Sequence, residues 1–218
     1  MNNYYPIFVN LKDQPCTVIG GGKIAEGKVE GLLDAGAMIT VISPALTPAL
    51  QNLADEKQFT YIERIYQNGD LDGAFMVICA TDQNDINHRV WLDASENHQL
   101  VNVVDDTPRC NFIAPAILRK GDLSIAISTG GKAPAMAVRL KEFLDKNIGP
   151  EYARFLELAG QLRSPLAKHI PDFETRKALW YQILDAGVLD LLSQGNESEA
   201  MDLISNTVGF PFQPAINA

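Results

Sequence analysis

The sequence is poor in the residues that build disulfide scaffolds and metal sites. It has three cysteines and three histidines in 218 residues. Cys16, Cys79 and Cys110 are odd in number, far apart and without a C-x-x-C pair. Reduced thiols in a cytoplasm fit them better than disulfides. His88, His98 and His169 lack metal-ligand spacing, so no built-in metal is expected. No apolar run is long enough to span a membrane. The opening MNNYYPIFVNLKDQ lacks the basic-then-apolar layout of a signal peptide. Positive charge is also scarce. The 18 Lys and Arg residues against 27 Asp and Glu leave a net charge of −9, which argues against nucleic acid as a partner. There is no internal repeat and no low-complexity segment. What remains is an ordinary globular composition, 46% hydrophobic and 21% charged, with length for one or two domains.

Against that background one stretch is distinctive. CTVIGGGKIAEGKVEGLLDAGAMITVISP, from Cys16 to Pro44, sets an apolar run before Gly20, Gly21 and Gly22. A helical pattern follows, with Ile24, Ala25, Val29, Leu32 and Leu33 on one face, then a β-branched run from Met38 to Ile42. Strand, glycine turn, helix and strand at this length form a dinucleotide-binding βαβ unit. In Gly20-x-Gly22-x-x-Ala25, Gly20 permits a tight turn and Gly22 lets the backbone approach a pyrophosphate. Ala25 is small enough for close helix–strand packing. The free N–H groups at the helix start, with its dipole, favour the phosphates.

The rest of the chain extends this unit. Residues 4–12 fit a short edge strand or arm, with Pro6 confined to an edge. A helix is expected within 44–58, strands at 59–64, 74–81 and 100–104, and a helix at 84–97. Alternating strands and helices imply an α/β fold, a Rossmann-like doubly wound parallel sheet. After Pro108 the rhythm changes to two strands around Lys120-Gly121-Asp122, then a helix from Pro134 to about Asn147. From Glu151 to about Asn206 the pattern is helical, in two long helices and a last short one from Ser198, followed by a tail. The expected domains are a nucleotide-binding domain over 1–110, a β-hairpin/helix segment over 111–148 and a helical C-terminal domain over 149–218.

Ligands of open α/β sheets sit beyond the carboxyl ends of the strands. Gly20, Gly21, Gly22, Lys23 and Ile24 follow the first strand, Ser43 and Pro44 the second, and Thr81 and Asp82 the fourth. These nine are the candidate cofactor residues. Ser43 stands where NAD-binding proteins often carry an acid, and no arginine is present for a 2′-phosphate, so chemistry alone leaves NAD and NADP open. Thr81-Asp82 equally fits a plain helix cap. Asp105 closes a strand on the ligand side, with Asp106 beside it. Partial burial and a like charge would raise its pKa toward use as a proton acceptor. As a sequence, Asp-Asp-Thr-Pro is also a common turn. Ser128-Thr129-Gly130-Gly131-Lys132 precedes a helix and could hold an anion or simply start that helix; it lacks the Walker A frame.

Several motifs in one order are more specific than any one glycine loop. PIFVNLKDQPCTVIGGGKIAEGKVEGLLDAGAMITVISP, ICATDQNDIN, VNVVDD and FIAPAILRKGDLSIAISTGGKAPAMAVRLKE together resemble the precorrin-2 dehydrogenase / sirohydrochlorin ferrochelatase family, which includes the N-terminal part of siroheme synthase. The resemblance is detailed from about residue 6 to 147. It implies NAD⁺-dependent oxidation of precorrin-2 to sirohydrochlorin, with Fe²⁺ as a further substrate in members that go on to siroheme. It implies Asp105 as the catalytic residue, and Asn111, Ser128, Thr129, Gly130, Gly131 and Lys132 as substrate-binding residues. Thr129 stands where some members carry a serine that can be phosphorylated. A homodimer is implied, formed by the hairpin and its following helix. A polycarboxylate tetrapyrrole also needs local cations in an acidic protein, and Arg109, Arg119, Lys120, Lys132, Arg139 and Lys141 cluster in sequence around that hairpin. Two other readings stay open: a protein that is mainly a chelatase, and a non-enzymatic nucleotide-sensing module, which would have no need of Asp105 or the Ser-Thr-Gly-Gly-Lys loop.

Overall fold

The computed structural model describes residues 4–214. The chain divides into two compact units, one ending at Ala114 and the other beginning at Pro115. The hairpin expected after Pro108 thus groups with the helices that follow it. The tail expected after residue 208 is described to Pro214, and its last four residues lie outside the described residues.

The first unit is built on an open parallel sheet. Its strands are β1 (Pro15–Ile19), β2 (Met38–Ile42), β3 (Thr60–Ile62), β4 (Met76–Cys79) and β5 (Leu100–Val103), in the order β3-β2-β1-β4-β5. β1 is central, pairing Val18 with Val41 on one side and with Ile78 on the other. Its side chains have no face to water, which is why the strand reads as a continuous apolar run. The chain steps outward from β1 to β3, then crosses back to β4 on the far side of β1. That reversal opens a crevice beyond the carboxyl ends of β1 and β4.

Helices α1 (Lys23–Asp34) and α2 (Pro48–Asp55) cover one face of the sheet. Ala25, Val29, Leu32 and Leu50 pack there on Cys16, Val18, Val41 and Ile78. Helix α3 (Asn84–Glu96) and the 63–75 segment cover the other, where Ile86, Val90, Ala94, Tyr66 and Leu71 meet Val77, Cys79 and Val101. Each aliphatic side chain so buried contributes about 1.5–3 kcal/mol. Thr47 accepts the Leu50 N–H and Pro48 follows it, so α2 starts four residues later than the chain's apolar spacing suggests.

Residues 4–11 carry no strand; they run irregularly until Leu11 enters the core. Pro6 has no N–H to give to a ladder, and one of the two alternatives read for this stretch, the edge strand, is thereby lost. The free edge of β5 is closed instead by Asn111. Its N–H donates to the Val101 carbonyl (3.1 Å), its Oδ1 accepts the Val101 N–H (2.8 Å), and its Nδ2 donates to the Gln99 carbonyl (2.7 Å).

In the second unit β6 (Ala116–Lys120) and β7 (Leu123–Ile127) form the expected antiparallel hairpin, turning at Gly121-Asp122. Four helices follow α4 (Pro134–Asn147): α5 (Pro150–His169), α6 (Phe173–Asp185), α7 (Val188–Ser193) and α8 (Glu197–Val208). Their core is Phe155, Leu158, Leu162, Leu166, Ile183, Val188, Ala200 and Ile204. Helix α7 was not expected; at six residues it is too short to display a helical period. Helix α4 leaves Met136, Val138, Leu140 and Phe143 exposed, and α6 leaves Phe173, Tyr181 and Leu184 exposed.

Candidate nucleotide site

A cavity of about 700 Å³ lies beyond the carboxyl ends of the sheet, wholly within the first unit. Its size falls in the roughly 300–1,000 Å³ range of cofactor pockets. All nine residues expected to hold a cofactor line it: Gly20, Gly21, Gly22, Lys23, Ile24, Ser43, Pro44, Thr81 and Asp82. Asp105 is at the same cavity.

The glycine turn is fixed on two sides. Gly20 N–H donates to the Ile42 carbonyl (2.9 Å), and Thr47 N–H donates to the Gly21 carbonyl (2.9 Å). Gly20 has φ +115°, and a Cβ there would lie 2.3 Å from the Ala80 oxygen. A Cβ on Gly21 would lie 2.2 Å from the Ala45 oxygen. Gly22 differs, because a Cβ there would meet nothing within 4 Å. Nothing in the fold requires glycine at 22, whereas a pyrophosphate at the helix start would. No side chain caps the start of α1, so its first N–H groups are available to an anion.

Ile24 corrects the expected helix face. It is exposed and lines the cavity, and its place in the buried face is taken by Glu26. The Glu26 carboxylate accepts from the Lys23 ammonium, which holds it below the usual carboxylate range; the Thr47 hydroxyl adds to that shift. The same bond to Glu26 pushes the Lys23 ammonium up. One buried acid thus links the first turn of α1 to the loop after β2.

Ser43 is buried. Its hydroxyl donates to the Ala45 carbonyl (2.8 Å), and its own carbonyl accepts from the Tyr61 hydroxyl (3.1 Å). Residues 42–45 bring no charge to the cavity, whose charged lining among the described residues is Lys23, Asp82 and Asp105. At the end of β4, Thr81 is not the α3 cap, a position held by Gln83. The Thr81 Oγ1 accepts the Gln83 N–H (3.0 Å) and shapes the turn before the helix.

Ile65 and Tyr66 form a wall that sequence reasoning missed. They follow β3 in a segment with no helical or strand period. Arg64 locks that segment by two bonds to Asp70 (2.7 and 2.6 Å), whose carboxylate also accepts the Gln67 N–H (2.7 Å). The Arg64 guanidinium holds the Asp70 carboxyl below its ordinary value. Tyr66 is buried and donates its hydroxyl to Asp93; burial pushes its phenol up, and the Asp93 carboxylate adds to the shift. An acid-locked loop leaves only scattered polar residues as a sequence signal.

Asp105 follows β5 at φ +60°, a left-handed geometry that aspartate tolerates better than most residues. It is exposed, not partly buried as expected. Its neighbour Asp106 is paired with Arg109 (2.7 Å), which also donates to the Asn84 Oδ1 (2.9 Å). The like charge expected beside Asp105 is therefore countered, and Arg109 ties the turn after β5 to the start of α3 instead of standing as a free cation. Lys120 is likewise engaged, with Asp145 (2.8 Å). Asn111 has the strand-closing task described above.

Ser128, Thr129, Gly130, Gly131 and Lys132 lie in the second unit. Lys132 N–H donates to the Thr129 carbonyl (3.2 Å) around Gly130 and Gly131, both with positive φ, at +62° and +79°. The Ser128 hydroxyl accepts the Gly130 N–H (3.0 Å), and the Thr129 hydroxyl accepts the Ala133 N–H (3.1 Å). Two amides that could have held an anion are thus already taken by the loop's own hydroxyls.

A parallel sheet with a glycine turn, an uncapped helix start and a cavity at the switch point defines an NAD(P)-binding protein of the Rossmann type. Residues 7–116 match the family described as putative NAD(P)-binding. Residues 120–147 match the sirohaem biosynthesis protein central region, and 151–207 the sirohaem synthase dimerisation region. The chain belongs to the family of the siroheme synthase N-terminal part, the precorrin-2 dehydrogenase/chelatase family. It is 38% identical over 204 residues to the siroheme synthase of Photobacterium profundum, covering 94% of this chain and 44% of that protein. With the siroheme synthase of Blochmanniella floridana it shares 37% identity over 206 residues, covering 94% and 45%. The chain therefore spans less than half the length of these curated relatives. A solved structure titled SirC, precorrin-2 dehydrogenase, superposes with a TM-score of 0.77 at 28% identity, covering 93% of this chain and all of that one. The dimerisation match falls on α5 to α8, beyond the hairpin and α4 on which the sequence had placed that role. Among the described residues no helix is long and apolar enough to cross a membrane, and no group of His, Cys, Asp and Glu could hold a metal ion.

Proposed function

We propose that this chain is an NAD⁺-dependent precorrin-2 dehydrogenase, oxidising precorrin-2 to sirohydrochlorin in a cytoplasm. The observation that carries the reading is one cavity bordered by both the glycine turn and Asp105. The residues present fit a dinucleotide: Gly22 leaves open space where a side chain would intrude, and the start of α1 is uncapped. NAD⁺, when bound, supplies the hydride acceptor. Gly20 to Gly22 and the α1 start would hold its pyrophosphate, with Lys23 and Ile24 beside it. Ser43 and Pro44 would border a ribose, and Thr81 and Asp82 the opposite wall.

Asp105 takes the proton that leaves the macrocycle as hydride departs. Its exposure keeps it reachable, and its left-handed backbone turns it out of the strand line. Ser128, Thr129, Gly130, Gly131 and Lys132, with Asn111, are proposed to border the tetrapyrrole. In that role Lys132 supplies the charge for a substrate carboxylate, since the loop amides at 130 and 133 are engaged. We propose three functional segments, residues 1–110, 111–148 and 149–218, and assembly as a homodimer. The exposed apolar residues of α4 and α6 support association. Fe²⁺ insertion into sirohydrochlorin is a second reaction suggested by relatives named siroheme synthase.

The test is optical. The chain is incubated with precorrin-2 and NAD⁺, the sirohydrochlorin spectrum is followed, and Fe²⁺ is then added. Formation of sirohydrochlorin that requires NAD⁺ is the expected result. Loss of sirohydrochlorin after iron marks the chelatase step. Neither change would leave a nucleotide-binding module.

A further inference from the structure

Asn87, in the second turn of α3, does not line the cavity, yet its amide grips a residue that does. Its Nδ2 donates to the Thr81 carbonyl (3.1 Å). Its Oδ1 accepts from the Thr81 hydroxyl (2.9 Å) and from the Cys79 thiol (3.1 Å). Both ends of the amide are therefore engaged with the last residues of β4 and the turn beyond it. Thr81 and Gln83, on that turn, both line the cavity.

The arrangement fixes a polarity. A threonine hydroxyl has one hydrogen and two lone pairs. Here the hydrogen is turned inward to Asn87, the other acceptor in reach being the Gln83 carbonyl at a longer 3.4 Å. One lone pair takes the Gln83 N–H. Toward the cavity, Thr81 can therefore only accept. A phosphate oxygen has nothing to gain there, whereas a ribose hydroxyl or a carboxamide N–H has.

We propose that Asn87 is a positioning residue of the nucleotide site, holding the Thr81 hydroxyl so that this wall selects a neutral hydrogen-bond donor of the dinucleotide. The proposal rests on the nucleotide reading above and adds a residue that neither borders the ligand nor belongs to the glycine motif.

Calorimetric titration with NAD⁺ tests it on four proteins: the wild-type chain, Thr81→Val, Asn87→Leu and the double variant. Each single change should weaken NAD⁺ roughly 5–10-fold, the value of one hydrogen bond. Because Asn87 acts through Thr81, the double variant should bind no more weakly than the weaker single one. General loosening of the helix would instead make the two losses multiply, and would overturn the proposal. So would unchanged affinity in Asn87→Leu while the wild type binds. Asn87→Asp keeps the side-chain size and both acceptor roles and removes the donation to the Thr81 carbonyl. It serves if the leucine variant does not fold: a carboxylate oxygen facing the Thr81 carbonyl pushes that residue and its hydroxyl out of place, so NAD⁺ should weaken, and unchanged affinity would overturn the proposal. A wild-type chain that binds no NAD⁺ would overturn the nucleotide reading and the role of Asn87 with it.

Discussion

A Cβ on Gly20 would sit 2.3 Å from the carbonyl oxygen of Ala80, so the glycine turn is locked against the end of β4. Two glycines apart, the constraint is gone, since Gly22 faces open space. The two should separate experimentally. Gly20→Ala combines a clash with strained φ and should cost about 2–3 kcal/mol of stability, read from urea unfolding. Gly22→Ala should stay within about 1 kcal/mol of wild type, the loss expected at a helix cap. Its NAD⁺ affinity should fall roughly tenfold or more, because the added methyl occupies the place of the pyrophosphate.

That contrast marks how far the sequence could be read. Strand, turn and helix between Cys16 and Ile42 announce themselves because a central strand must be apolar on both faces and a tight turn needs glycine. The nine residues at the strand ends then follow from topology alone. What stayed hidden depends on long-range pairing. Arg64 and Asp70 lock a loop that brings Tyr66 to the cavity, and no local period signals it. Asn87 reaches back six residues to Thr81 through side-chain atoms, a contact that periodicity does not encode. Asn111 ties its amide to the edge of β5, ten and twelve residues back, a span that no local pattern announces. Ile24 was assigned to the buried face by spacing, and Glu26 is there because Lys23 and Thr47 satisfy its charge.

Asp105→Asn is the sharper test of the proton acceptor. Asparagine tolerates φ near +60° as aspartate does, so the turn after β5 is kept. The thermal midpoint should stay within about 2 °C of wild type. Turnover of precorrin-2, followed by sirohydrochlorin absorbance, should drop by roughly 10²–10⁴-fold. Undiminished turnover would remove Asp105 from the reaction.

The Arg64–Asp70 lock makes a pH prediction. The guanidinium holds the Asp70 carboxyl below its ordinary 3.8 in the folded chain. A depressed carboxyl stabilises the fold fully above its unfolded pKa and loses that effect as pH falls through the folded value. Asp70→Asn should therefore lower the thermal midpoint by roughly 3–5 °C at neutral pH. The gap from wild type should close below pH 3.8, the ordinary value from which the folded group is displaced. NAD⁺ affinity should fall in the same variant, since Ile65 and Tyr66 lie within the locked segment and line the cavity. Scanning calorimetry across pH, with one titration at neutrality, reads both.

The exposed residues of α6 bear on assembly. Phe173 is 64% exposed and Tyr181 60%, eight residues apart and so on one side of the helix, with Leu184 beside them. Two large rings left in water on one helix need a cover, and residues 151–207 match a dimerisation region. On α4, Phe143 is 62% exposed and Met136 58%, one apolar stripe on a helix outside that match. The chain should sediment at about twice its 23.9 kDa mass. Tyr181→Glu should weaken association by roughly 30-fold or more, as removal of an aromatic anchor does. Phe143→Glu measures whether the interface extends to α4, as the hairpin assignment requires; the same loss of dimer is expected. A Phe143→Glu chain as dimeric as wild type, beside a monomeric Tyr181→Glu chain, would confine the contact to the last four helices. The segment 111–148 would then have no part in assembly.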